Sequence, residues 1–513
     1  MEQPSVTHDT LKERPMSQSS ASKRLFDLWG ELRDLNAAAA LLEWDQETQM
    51  RSAGHAQRGE VLATLAGTIH RLLTAPELAD VLARCGDEAE AGSELAGQVA
   101  AARREVDRAV KVPERLTREL AATRAASLEA WQKAREKADF SLYAEVLDTM
   151  IRLRREEAEA IGGAATTYDV HLDRFEPGTT SAMVEPLMQE LVTALRPLVQ
   201  QVAESQVNID ESPALGQFAG DGQVAFGRRL AEAIGFDFNA GRLDPSTHPF
   251  CVAIHRNDVR MTYRYDEKDF RPFLFGILHE TGHGLYEQGL PDRWHKTPLD
   301  EAASLSIHES QSRLWENHVG RSRGFWRWAL PIFKEHFPST DMELESLWPT
   351  LHVVRPSLIR VDADEVTYHL HIAVRFDIER RLFAGELATE DLPEAWDALY
   401  ESYLGVRPPN TAQGVLQDVH WSHGSFGYFP TYTLGSMVSA QLFAAASRDL
   451  GDLEEAFAQG EFGVLLDWLR RHVHDHARRL TPSEIVEGAT GKPLAIDDLV
   501  AYLRGKTEEI YAA

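Results

Sequence analysis

Five consecutive residues carry the strongest chemical signal in the chain: His279-Glu280-Thr281-Gly282-His283, an H-E-x-x-H pattern. Histidines four apart on a helix lie one turn from each other on the same face, so both imidazoles can reach one ion. The carboxylate between them stands beside that ion, placed to take a proton from a water. A divalent metal acidifies such a water, which then attacks a carbonyl carbon, so the expected chemistry is metal-assisted hydrolysis of peptide bonds. In this reading His279 and His283 are metal ligands and Glu280 is the general base acting on a metal-bound water. The pattern arises by chance on the order of one time in twenty in a chain of this length. A surface helix with two unrelated histidines therefore has to be weighed against it.

A third ligand decides between the two. The metzincin extension needs Gly three residues past His283 and His six past it, but this chain has Tyr286 and Gly289 there. The other known arrangement takes a Glu from the next helix. Glu309 follows in the run Asp300–Ser312, helical by composition, after a break at Gly289-Leu290-Pro291. Two His and one Glu leave a fourth position open, as a catalytic zinc requires. His308 faces about 100° away from Glu309 around the helix and is expected to pack or to support a ligand. One divalent ion per chain is predicted, zinc first, with cobalt or manganese also suited to these donors.

The motif needs a helix beneath it. Phe270, Phe273, Leu274, Ile277 and Leu278 recur at helical spacing immediately before it, and Gly282 within it allows close approach of a neighbour. Before that helix, residues 249–265 alternate apolar and polar, with Asn257-Asp258 between two runs, which predicts a short hairpin. Arg260 on that hairpin is expected to pair with Asp258 or a helix carboxylate. The rest reads as helix: about 23–172, with a long charged pair over 116–161, then about 182–234, then from Phe270 to the end. Residues 1–20 are polar, contain Pro4 and Pro15, and predict a flexible lead-in; 21–513 read as one large helical domain.

Composition narrows the classes. The chain has 513 residues, 53 Lys+Arg and 80 Asp+Glu, a formal net charge of −27. Such a surface repels phosphate backbones and anionic lipid, so neither nucleic acid nor membrane is an expected partner. Two cysteines, Cys85 and Cys251, exclude a Cys-based zinc site. No run approaches eighteen apolar residues and no signal layout opens the chain, which predicts a cytoplasmic protein.

Further segments point to a family. Leu42-Glu43-Trp44-Asp45-Gln46-Glu47-Thr48, His248-Pro249-Phe250, Asp258-Val259-Arg260-Met261-Thr262, Ile307-His308-Glu309-Ser310-Gln311-Ser312, Ile359-Arg360-Val361-Asp362-Ala363-Asp364 and Gly414-Val415-Leu416-Gln417-Asp418-Val419-His420-Trp421 occur in this order. Together with the H-E-x-x-H they resemble the metallocarboxypeptidases of the carboxypeptidase Taq type. The resemblance implies an all-α zincin fold with a deep groove, one divalent metal, removal of C-terminal residues from peptides and a homodimer. His369 departs from it, since Asn is commoner there.

A carboxypeptidase must hold a free α-carboxylate, and the planar fork of Arg suits both oxygens. Arg360 is the first candidate and Arg355 the second; the plainer role for Arg360 is an ion pair with Asp362 or Asp364. His420, Tyr428 and Tyr432 crowd a loop punctuated by Gly424, Gly427 and Pro430, and are candidate donors to the oxyanion. His369 and His371 are expected to pack near Arg360. The prediction is a metal-dependent carboxypeptidase acting on peptides, with a groove between the N-terminal and C-terminal halves. An internally cutting oligopeptidase, or a peptide-binding protein with a structural metal, are the alternatives.

Overall fold

The computed structural model describes residues 19–511, so most of the predicted lead-in lies outside the described residues. Ser19 caps the first helix by accepting a hydrogen bond from Ser22 N, and helix α1 runs Ser20–Thr48.

The charged pair expected over 116–161 is present as α2 (Glu114–Lys137) and α3 (Ser141–Ile161). Ala138, at φ 50°, breaks the first of them in a left-handed turn. The predicted hairpin is part of a larger feature. Strands β1 (Gly241–Pro245), β2 (Cys251–His255) and β3 (Asp258–Tyr263) form a sheet of order β1-β3-β2, with β1 parallel and β2 antiparallel to β3. The β1 segment, Gly-Arg-Leu-Asp-Pro, lacks alternation and opens and closes on strand breakers, so nothing local announces it. Asp258 opens β3 rather than forming the turn.

Four helices then frame the site: α4 (Arg271–Gly289), α5 (Leu305–Arg313), α6 (Tyr368–Ala384) and α7 (Pro430–Leu450). Pro272 in the first turn of α4 loses no helical hydrogen bond, and the H-E-x-x-H lies two turns further on. After α5 the helix widens into a π-helical turn, Leu314–Val319.

Two large apolar cores hold these elements. One gathers Leu274, Leu278, Leu285, Ile307, Trp315 and Trp326 around α4 and α5. The other gathers Trp131, Leu147, Leu370, Val374 and Trp396 around α2, α3 and α6. Helix α7 belongs to both: Val438, Leu442 and Ala446 face the first core, Leu434, Met437 and Ala440 the second. Each fully buried large side chain contributes about 1.5–3 kcal/mol, so α7 is fixed from two sides. A smaller core under α1 contains Leu25, Trp29, Leu82 and Val99.

Family segments far apart in sequence meet on the sheet. The Trp44 ring lies between the guanidinium groups of Arg242 (4.7 Å) and Arg260 (4.3 Å). Arg260 pairs with Asp258 at 2.8 and 2.9 Å, as expected. Thr262 Oγ1 accepts from the Phe250 amide at 2.8 Å, tying the H-P-F turn to β3.

Candidate metal centre

Helical spacing places His279 and His283 on one face of α4, their rings 4.8 Å apart. Helix α5 crosses that face closely enough that a Cβ on Gly282 would lie 2.5 Å from Gln311 O and 2.6 Å from Ser312 Cα. Only a glycine fits there, and this contact brings Glu309 to the histidines. Glu309 Oε2 lies 3.6 Å from His279 Nε2 and 3.5 Å from His283 Nε2. Ligand atoms of these three residues all lie within 4.8 Å of one another. On the other side α7 presses in: a Cβ on Gly435 would meet Glu309 Cβ at 2.6 Å.

The inner ring nitrogens are already occupied. His279 Nδ1 pairs with Glu316 Oε2 at 2.8 Å. His283 Nδ1 pairs with His308 Nδ1 at 2.6 Å, and His308 Nε2 with Glu287 Oε1 at 2.8 Å. The hydrogen-bond network assigns the protons: His279 Nδ1–H donates to Glu316, His283 Nδ1–H to His308, and His308 Nε2–H to Glu287. The Nε2 atoms of both rings then face the space in front of Glu309. This donor set fits a divalent cation.

Arg313 completes the frame. Its Nε donates to Glu309 Oε1 at 2.7 Å and its Nη1 to Glu316 Oε2 at 3.1 Å, while its guanidinium sits 4.7 Å from the Tyr368 ring centroid. One residue thus holds both Glu309 and the carboxylate that orients His279. At the start of α5, buried Glu176 accepts from Ser306 N (3.0 Å) and Ser306 Oγ (2.6 Å).

Electrostatics follow from this crowding. Burial opposes charge on Glu309, yet Arg313 and the two histidines outweigh it and hold the carboxyl well below its usual range. Burial also opposes charge on His279, but Glu309 and Glu316 raise it to about 9 in the metal-free chain. His283 is pushed down to about 4 by burial and its histidine neighbours. Burial, with Glu309 and Glu316 adding to it, raises Glu280 to about 7 in the metal-free chain.

The loop residues converge from the opposite wall. Tyr428 and Tyr432 have ring centroids 5.4 Å apart, and His420 lies 5.4 Å from Tyr428 and 6.4 Å from Tyr432. Burial raises both phenols, and the Glu309 charge is near enough to add to the shift. Burial pushes His420 down to about 4, and its Nδ1 has no hydrogen-bond partner. Buried Glu379 anchors this loop, accepting from Trp421 Nε1 (2.7 Å), Gly427 N (3.0 Å) and Tyr168 Oη (3.0 Å).

Arg360 is buried and pairs with Asp418 rather than with Asp362 or Asp364; its Nε and Nη2 donate at 3.0 and 2.7 Å. Asp364 instead accepts from the backbone of Arg355, Val366 and Thr367. Arg375 takes the other oxygen of Asp418, at 2.6 Å. The Arg360 guanidinium still reaches the site side, 5.3 Å from the Tyr432 ring and with Nη1 3.3 Å from Tyr368 Oη. Arg355 is not drawn into this group: its side chain is 72% exposed and bonds Glu211. His369 and His371 pack as expected, bonded to Thr433 and Tyr400.

Sequence reading singled out Glu280 and the three metal-ligand candidates His279, His283 and Glu309, which the structure brings together, but not Glu316, Glu287, Arg313, Glu176 or Glu379. A carboxylate four residues beyond a helical ligand is an ordinary surface pattern, and no residue marks the π-helical turn that aims Glu316.

A family model described as carboxypeptidase Taq (M32) metallopeptidase matches residues 24–507. The chain belongs to that family. It is a metallocarboxypeptidase, a hydrolase of peptide bonds, and the family implies a divalent metal. Thermostable carboxypeptidase 1 of Thermus thermophilus is 41% identical over 97% of this chain and 100% of its own length. Carboxypeptidase 1 of Bacillus subtilis is 38% identical over 95% and 98%. Among solved structures, the M32 carboxypeptidase from Deinococcus radiodurans superposes with a TM-score of 0.94 at 37% identity, covering 96% of this chain and all of that one. The Pyrococcus furiosus carboxypeptidase gives 0.92 at 34%, covering 96% and 99%. The all-helical fold with one small sheet is the fold of these relatives.

Proposed function

We propose that this metallocarboxypeptidase releases C-terminal amino acids with Glu280 as general base and a zinc ion held by His279, His283 and Glu309. Cobalt and manganese are the alternatives that the same donors accept. The observation that carries the reading is the convergence of two Nε2 atoms and Glu309 Oε2, with both Nδ1 atoms engaged behind them. When bound, the ion supplies Lewis acidity towards a water and a carbonyl oxygen. Glu280 takes the proton of the attacking water and delivers it to the nitrogen of the leaving amino acid.

Tyr428, Tyr432 and neutral His420 stand on the far wall as donors to the developing oxyanion. Arg360, fixed by Asp418, is assigned to the substrate α-carboxylate; exposed Arg355 is the second candidate. The peptide body has a groove to lie in, with walls from both halves of the chain. One cleft of about 700 Å³ runs between α1 residues Arg33–Ala40 and strand β2. Because β2 is an edge strand, its free side is open to pairing with an extended peptide. A homodimer in the cytoplasm is further proposed: the dimer rests on the family resemblance, the compartment on two free thiols, Cys85 and Cys251.

The test is a defined peptide read by mass spectrometry, with a free and with an amidated C-terminus. Serial loss of single residues from the free acid only, abolished by chelator, is expected. Undiminished cleavage of the amide would establish an endopeptidase instead.

A further inference from the structure

A second cleft, about 810 Å³, opens on the other side of Glu287. Glu287, Glu301 and Ala302 line both clefts, so the two are neighbouring lobes that share this wall. This lobe adjoins the site twice: Glu287 bonds His308, which bonds the ligand His283, and Phe175 in its wall packs on Tyr428 with ring centroids 5.1 Å apart. A peptide seated at the metal centre has this lobe beside it.

The wall of the lobe carries four arginines (Arg104, Arg174, Arg478, Arg479) and four carboxylates (Glu105, Asp173, Glu287, Glu301), but they are not paired one to one. Asp173 is taken by Arg104 at 2.7 Å and also by Arg108. Glu105 and Glu301 are both taken by Arg478, and Glu287 by His308. Every carboxylate in the wall is thus committed. Arg174 and Arg479 line the same lobe, are exposed, and have no carboxylate within 4.0 Å among the described residues. On a chain of net charge −27, these two guanidinium groups, without a close carboxylate partner, leave N–H donors in the cleft for an anionic group.

We infer that Arg174 and Arg479 form an acidic-side-chain subsite of the groove, which makes the enzyme favour peptides carrying Asp or Glu where the substrate passes this lobe. The inference rests on the carboxypeptidase reading for the identity of the ligand. A guanidinium binds a carboxylate through two parallel N–H donors, whereas it repels a Lys or Arg side chain.

The test uses the full-length metal-loaded enzyme and hexapeptides that carry Glu, Gln or Lys singly at each position, the last included. The ratio of kcat/KM for Glu over Lys peptides is expected to reach about fivefold or more at one or two positions. It should shrink in 0.5 M salt and invert in the charge-reversal variants Arg174→Glu and Arg479→Glu, with the Gln peptides little affected. Binding of the same peptides to Glu280→Gln, read by fluorescence anisotropy, should show the same order. No Glu-over-Lys preference in either measurement, or one that survives both reversals, overturns the subsite. Ordered binding without any C-terminal release would instead retain the subsite and remove the assigned reaction.

Discussion

His283 and His308 face each other through their Nδ1 atoms at 2.6 Å, and Glu287 closes the chain at 2.8 Å from His308 Nε2. A metal ligand is thereby oriented by a second imidazole, itself oriented by a carboxylate that lines the substrate groove. Removing the middle link frees the His283 ring to turn and leaves its tautomer unset. His308→Ala is expected to weaken metal affinity about 10–100-fold, read by competition with a fluorescent chelator. Unchanged affinity would show that packing alone sets the ring.

Gly282 serves a different purpose. Added to it, a methyl group meets the backbone of Gln311 and Ser312, which cannot swing aside as a flexible side chain would. Gly282→Ala should cost about 3 kcal/mol or more and push α5 away from α4. Urea denaturation and metal stoichiometry measured together would register both effects; a variant of native stability that binds metal normally would contradict the close crossing.

Arg360 carries the assignment of substrate carboxylate recognition. In Arg360→Ala, Asp418 keeps Arg375 as a partner, so the loop retains one of its anchors. The expected loss is about 10²–10³-fold in kcat/KM on free-acid peptides, with the preference for acid over amide largely erased. Retention of that preference would move the role elsewhere, with Arg355 next to be tested.

Glu379 gives the fold a pH dependence. Burial raises its carboxyl from 4.5 to about 7, so between these values the folded chain keeps a proton that the unfolded chain has released. Stability from this group is therefore highest below about pH 4.5, falls as pH rises towards 7, and then levels off, a change on the order of 3 kcal/mol. Glu379→Gln keeps one acceptor oxygen but turns an NH2 group towards at least one of the donors Trp421 Nε1, Gly427 N and Tyr168 Oη, so it should be less stable overall yet show a flatter slope in urea titrations between pH 5 and 7.5. An identical slope would mean that Glu379 is not the group responsible.

How much of this was readable in the sequence depends on the range of each interaction. His279, Glu280, His283 and Glu309 were legible because helical spacing alone puts the histidines on one face and only one geometry accepted the downstream Glu. His308 was placed correctly as a neighbour, but not as the residue that sets the His283 proton. The local ion pair weighed as the plainer role for Arg360, with Asp362 or Asp364, is not formed; its partner is Asp418, 58 residues away. Strand β1 and the π-helical turn under Glu316 depend on tertiary contacts that no local pattern records. Glu176 and Glu379 look like ordinary helix charges until the packing buries them.

The central claim is that Glu280 moves the proton at a site made by His279, His283 and Glu309. Its most direct test is Glu280→Gln, with bound metal counted by mass spectrometry and hydrolysis of one free-acid peptide followed on the same sample. One metal per chain retained and a loss of at least about 10³-fold in kcat is the predicted result. Full hydrolysis by that variant, or by wild-type protein stripped of metal, would contradict the account.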